Sequence, residues 1–151
     1  MIISKSAKTS ELCLDLGGIS YHYSRISYYD FENREWKKYN EVNPGFGIQW
    51  TIRENKKHIF WAKAGIYKDS KSNITKYIGP GYQYKLLEYL HAGIGVVYLK
   101  SDTYNFSIAP LPLLTFRYKF LRLSGMWMPT FGDTESGAVA FFLTLTFWKK
   151  K

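Results

Sequence analysis

The chain has 151 residues, a mass of 17.7 kDa, a formal net charge of +9, and 46% hydrophobic and 19% aromatic residues. One domain with a sizeable core fits this length, and the aromatic content excludes a disordered basic tail. A single cysteine, Cys13, excludes an internal disulfide and a Cys-rich zinc site, and no stretch reaches the ~18–20 apolar residues of a membrane helix, although strands of about 9–11 alternating residues would cross a bilayer without one.

Residues 1–17 read as a short N-terminal segment. The start, MIISKSAKTSELCLDLGG, holds an apolar run of three residues. That is short of the roughly 7–15 residues of a secretory signal core. A mature form carrying an added Met and a chain not exported by that route both stay open.

From there the chain alternates with period 2 between turn-forming clusters. Eight strands are expected, at about 18–29, 39–52, 58–69, 74–86, 90–100, 103–116, 120–129 and 138–148. Successive side chains of a strand face opposite ways. In the third strand Phe60, Ala62, Ala64 and Ile66 form one face, and Trp61, Lys63, Gly65, Tyr67 and Asp69 the other. In the fifth, Leu90, Ala92, Ile94, Val96 and Tyr98 oppose His91, Gly93, Gly95, Val97 and Leu99. The last is the clearest: Val139, Phe141, Leu143, Leu145 and Phe147 oppose Ala140, Phe142, Thr144 and Thr146. Such strands meet two different solvents. Eight is the smallest usual number for a closed barrel, and closure removes the unpaired edges that lipid cannot hydrogen-bond. The fold class is therefore all-β: an eight-stranded antiparallel up-and-down barrel of the transmembrane outer-membrane type, over 18–148, with a basic tail at 149–151.

Pro44, Pro110 and Pro112 fall inside expected strands, where each removes a ladder donor. Either the strand limits are misplaced or the wall has local gaps. Tyr and Trp gather near strand ends: Tyr28, Tyr29, Trp36, Tyr39, Trp50, Trp61, Tyr67, Tyr77, Tyr98, Tyr104, Trp127 and Trp148. They fit the interfacial girdles of a membrane barrel and equally the core of a soluble one.

Chemistry-bearing residues are few. His22, His58 and His91 lie on different strands without metal-site spacing, so neither a metal nor a cofactor is expected. There is no G-x-S-x-G elbow, Walker loop or GxGxxG. No RNA-binding signature accompanies the charge, so nucleic acid is not an expected partner.

One ordered set of motifs stands out. Tyr21-His22-Tyr23 is followed by Tyr39-Asn40-Glu41 and Pro44-Gly45-Phe46-Gly47. Then come Lys68-Asp69-Ser70, Tyr77-Ile78-Gly79-Pro80-Gly81-Tyr82 and Ala109-Pro110-Leu111-Pro112. This order resembles the lipid A palmitoyltransferases of the PagP type, over about residues 18–148. The resemblance implies an outer-membrane enzyme of the bacterial cell that moves a palmitoyl-type chain from a glycerophospholipid to lipid A or a related anionic lipid. It places the catalytic set on His22, Asp69 and Ser70, with His22 as general base and acid. Ser70 is not assigned as a covalent nucleophile, and strict alternation turns it away from Asp69. The family holds a lipid chain in the barrel with a small residue at the floor, here Gly81. Gly93 and Gly95 would leave space, and Met126 and Met128 would give adaptable walls. Weakened pairing would admit lipid sideways, at Pro44 on one side and at Pro110, Pro112 and Pro129 on the other. Membrane lipids are the expected partners, and a monomer the expected state.

Two rivals remain: a non-enzymatic outer-membrane barrel with a structural or surface-exclusion role, and a soluble basic β-barrel binding lipid or nucleic acid. Most Lys and Arg fall in expected loops or near strand ends, among them Arg34, Lys37, Lys38, Arg53, Lys56, Lys57, Lys71, Lys76, Lys100, Arg117 and Lys119. There they would face lipid phosphates or simply be solvated.

Overall fold

A computed structural model describes residues 9–24, 26–54, 57–102, 107–129 and 137–150. Its strands are β1 (Thr9–His22), β2 (Ser27–Asp30), β3 (Glu35–Lys38), β4 (Val42–Glu54), β5 (His58–Lys68), β6 (Ile74–Lys85), β7 (Leu90–Lys100), β8 (Ser107–Tyr118), β9 (Leu121–Met128) and β10 (Ala138–Lys150). Eight of them close into an antiparallel barrel in the order β1-β10-β9-β8-β7-β6-β5-β4, and β2 and β3 pair as a separate hairpin.

The alternation read from the sequence is the wall of this barrel. Trp61, Lys63, His91, Val97 and Leu99 are buried in the lumen, whereas Phe60, Ile94 and Val96 face outward. Around the outside run Phe46, Ile48, Ile78, Ile108, Leu114, Phe116, Leu123 and Phe141, all exposed. An apolar belt outside a lumen that buries Glu11, Asp15, Lys63, His91 and Arg122 is unlike a water-soluble domain and matches a lipid-facing wall.

Several expectations shift. The first strand is not 18–29. It begins at Thr9, so much of the expected N-terminal segment is wall, and Ser27–Asp30 belongs to the hairpin. The last strand runs on to Lys150 and takes in most of the basic tail. Trp61, Tyr67 and Tyr77 are not girdle residues: Trp61 is buried in the lumen, and Tyr67 and Tyr77 pack against the cluster of Val97, Leu99, Leu111 and Met126. Arg53 and Arg117 are not solvated loop charges, since both reach Glu11 inside the barrel. Tyr104 and Lys56 lie outside the described residues.

The pairing is uneven. β8 pairs with β7 from Ser107↔Leu99 to Phe116↔Leu90, past both Pro110↔Val96 and Pro112↔Ile94. On its other side it pairs with β9 only from Tyr118↔Leu121 to Leu113↔Met126. The donors the prolines lack therefore fall on the β9 side, and Pro129 follows directly after β9. On the opposite wall the β1–β4 ladder shifts between Leu16↔Phe46 and Gly18↔Asn43, passing over Pro44 and Gly45. At the places where the sequence put gaps, β8–β9 pairing is absent beside Pro110 and Pro112, and the β1–β4 ladder shifts register at Pro44.

Candidate active site

His22 ends β1, two residues after Ser20, so both side chains belong to the same side of the strand. Closure of the barrel brings the turn after β5 to this rim. His22 Nε2 lies 2.8 Å from Ser70 Oγ. Ser70 Oγ is also 3.3 Å from Ser20 Oγ. Ser20 donates to Asn43 Oδ1 at 2.7 Å, and Asn43 Nδ2 donates to the Lys68 carbonyl at 3.2 Å. The Asn40 N–H donates to the Ser70 carbonyl at 2.7 Å. The His22 ring stacks on Tyr39 at 4.1 Å with an interplanar angle of 11°, and Tyr39 packs on Tyr28 of the hairpin at 5.2 Å. The ring is thereby held between a hydroxyl and an aromatic face. Its Nδ1 is buried without a hydrogen-bond partner among the described residues.

Asp69 does not orient His22. Its carboxylate accepts the N–H groups of Lys71 and Asn73, each at 2.9 Å, and the Thr75 hydroxyl at 2.8 Å. The Ser101 hydroxyl adds a fourth contact at 3.4 Å. An Asp at the head of a turn commonly binds the backbone two residues on, and here that demand takes the whole carboxylate. Asp69 is a fully buried turn organiser that fixes where Ser70 points. Adjacent in sequence, the two side chains serve different partners.

Below this rim is an apolar cavity of about 150 Å³, whose lining includes His22, Ser70, Leu99, Leu111, Met126 and Met128. A soluble core of this size would pack without such a void. The cavity reaches down to Lys63, Asp15 and Tyr77. Lys63 Nζ is 3.6 Å from Asp15 Oδ2 and sits over the Phe142 ring at 4.0 Å. Asp15 also accepts the Thr144 hydroxyl at 2.7 Å.

The family described as "Antimicrobial peptide resistance and lipid A acylation protein PagP" matches residues 3–145. The chain belongs to the PagP family. No curated protein matches the chain significantly. Among solved structures, a de novo designed transmembrane β-barrel superposes with a TM-score of 0.52 at 10% identity, covering 95% of this chain and 98% of the other. A second designed barrel, TMB2.3, gives 0.51 at 16% identity, with 93% and 96% covered. These likenesses concern the fold alone.

Within this PagP-family barrel the expected lining is only partly met. Met126 and Met128 border the cavity. Gly81, Gly93 and Gly95 do not. The indole of Trp61 lies against both Gly81 and Gly95, where a Cβ would run into it, and the Gln83 side chain and backbone crowd Gly93. The depth that Gly81 was expected to set is closed by Trp61 and, above it, by the Lys63–Asp15 pair.

Ser20, Asn43 and the Lys63–Asp15 floor were not singled out from sequence. For Ser20 a signal existed, its i, i+2 relation to His22. Asn43 and Asp15 meet their partners only through barrel closure.

Proposed function

We propose that this PagP-family chain is an outer-membrane acyltransferase that moves a palmitoyl-type chain from a glycerophospholipid to lipid A or a related anionic lipid. It acts as a monomer and without a cofactor. The observation that carries this reading is the His22–Ser70 pair standing at the head of an apolar cavity inside a lipid-facing wall.

The chemistry follows from the groups in place. The acceptor hydroxyl attacks the ester carbonyl of the donor while His22 takes its proton. The ester C–O bond then breaks, and His22 returns the proton to the departing glycerol oxygen, so the transfer is balanced without a further reactant. Ser70 holds the imidazole through its contact with Nε2, and Ser20, which donates to Asn43, fixes Ser70 in turn. The acyl chain occupies the cavity down to Lys63. Donor and acceptor reach the lumen through the β8–β9 seam beside Pro110, Pro112 and Pro129 and the β1–β4 seam at Pro44. Longer connections gather at the His22 end, while Thr9 of β1, Lys150 of β10 and the shorter turns gather at the Glu11 end. In outer-membrane barrels those ends face outside and periplasm respectively.

The test is mass spectrometry of lipids from cells making wild type or His22→Ala. Wild type should add one acyl chain to an anionic lipid, and His22→Ala should cut product by about 10²–10⁴-fold while keeping heat-modifiable gel mobility. If folded wild type in the outer membrane acylates nothing, the inert barrel is the right description.

A further inference from the structure

At the end of the lumen away from His22, Glu11 projects inward from β1 and is fully buried. Arg117 grips it with a fork, Nη1 to Oε2 at 3.2 Å and Nη2 to Oε1 at 3.0 Å. Arg122 Nη2 donates to Oε2. Arg53 Nε lies 3.4 Å from Oε1, and Lys149 Nζ lies 3.7 Å from it. Among the described residues, three guanidinium groups and one ammonium thus converge on a single carboxylate. The next luminal carboxylate, Asp15, is already engaged by Lys63 and Thr144.

Such an excess of buried positive charge is unfavourable unless a counter-charge is supplied. Guanidinium groups do not deprotonate in proteins, so titration offers no relief. Two further atoms point to an unfilled role. Arg122 Nε and His91 Nε2 are buried without a hydrogen-bond partner among the described residues, and both residues are more than nine-tenths buried. The cluster is also reachable. The Arg53, Arg117 and Lys149 side chains are 20%, 14% and 47% exposed at the rim, against 6% for Arg122 and 0% for Glu11.

We infer that this end of the lumen is a binding site for a phosphate-type oxyanion, held by Arg53, Arg117, Arg122 and Lys149. The planar fork of arginine matches phosphate geometry, and several forks around one point favour a multiply charged oxyanion over a halide. The phosphate comes either from the head group of an anionic phospholipid in the adjoining leaflet or from free phosphate on that side of the membrane. This inference does not rest on acyl transfer.

The experiment uses the full chain folded in a maltoside detergent. Inorganic phosphate is titrated against sodium chloride at matched ionic strength, and the thermal unfolding midpoint is read. A ligand that binds only the folded state raises the midpoint saturably. Phosphate should do so and chloride should not. Lys149→Gln and Arg53→Lys, both at the exposed rim, should each weaken the phosphate response about 10-fold, and His22→Ala should leave it unchanged. Repeating the titration in nanodiscs separates the sources. If phosphatidylglycerol abolishes the response that phosphatidylcholine preserves, the head group is the occupant. If both preserve it, free phosphate is. Equal effects of phosphate and chloride, or rim variants titrating like wild type, overturn the inference.

Discussion

Toward Glu11 the strands are paired on both sides and the lumen is filled by a hydrogen-bonded network: Arg122 reaches Thr51 at 3.1 Å, Gln83 reaches Thr115 at 2.6 Å, and Thr115 meets Ser124 at 2.8 Å. Toward His22 the β8–β9 ladder ends at Leu113↔Met126, the β1–β4 ladder shifts register past Pro44, and the lumen holds a void. A barrel that admits a lipid chain must give up pairing and packing somewhere. Placing both losses in one half lets the other half hold the cylinder closed. Substitutions in the lower half should therefore act on stability, and those in the upper half on transfer.

The strongest test of that division is Glu11→Gln. It removes the charge on which four cations converge, and breaking a buried ion-pair cluster costs about 3–5 kcal/mol. Urea unfolding in lipid vesicles should show that loss, while any folded fraction keeps the proposed transfer rate. An unchanged midpoint would dissolve the contrast between the halves.

Asp69→Asn should fall on both sides of it. The turn keeps one carbonyl acceptor but loses charge-assisted bonds, a cost of about 1–2 kcal/mol. Because Asp69 acts through the position of Ser70, transfer should drop by about 10-fold, with no change in the pH profile of His22. A shift in that profile would instead place Asp69 beside the imidazole.

A smaller effect is expected from the paired change Lys63→Met with Asp15→Asn. Removing a buried ion pair as a unit is often close to neutral, so stability should move by no more than about 1 kcal/mol. The acyl chains found on the product should lengthen, as read by mass spectrometry. Unaltered chain length would remove Lys63 from the cavity floor.

The least effect belongs to the β2–β3 hairpin, outside the barrel. Lys37 lies 2.6 Å from Asp30 and 3.3 Å from Glu35. Its bond, followed by that of Asn33, holds the Asp30 carboxyl well below the usual carboxylate range. The same bond to Asp30, with Glu35 adding to it, holds Lys37 above the usual lysine range. A lowered carboxylate stabilises above its ordinary value of 3.8 and loses that contribution as pH falls through the lowered one. A raised lysine contributes below 10.5 and loses it as pH rises through the raised value. Both groups are partly open to solvent, so screening keeps the contribution small. Hairpin NMR shifts should stay flat between those limits and change only beyond them.

Much of the wall was legible because lipid and lumen impose alternation, and β5, β7 and β10 carry it cleanly. β1 was not, for a physical reason. Its inward residues, Glu11, Cys13 and Asp15, are mostly charged, and the register shift at Asp15/Gly18 breaks the period, so the next buried residue is Ser20. Acidic residues at short spacing read as a surface segment until a lumen exists to hold them. In the site, His22 and Ser70 were found through an ordered motif set. The direction of the Asp69 carboxylate was not, because adjacency along a chain does not say which neighbour a side chain serves. Arg53 and Arg117 were misplaced likewise, since charge at a strand end does not reveal whether it turns in or out.

The position of Trp61 has one more consequence, and it is optical. Trp36, Trp50, Trp127 and Trp148 are 72%, 51%, 49% and 47% exposed to the surroundings of the barrel, whereas Trp61 is 6% exposed. Lys63 Nζ lies 5.3 Å from its ring centroid. A positive charge so near an indole tunes its excited state, and a chain settling onto the cavity floor would displace that charge. The barrel thus carries, beneath its own cavity, an indole whose emission should shift when the lumen fills.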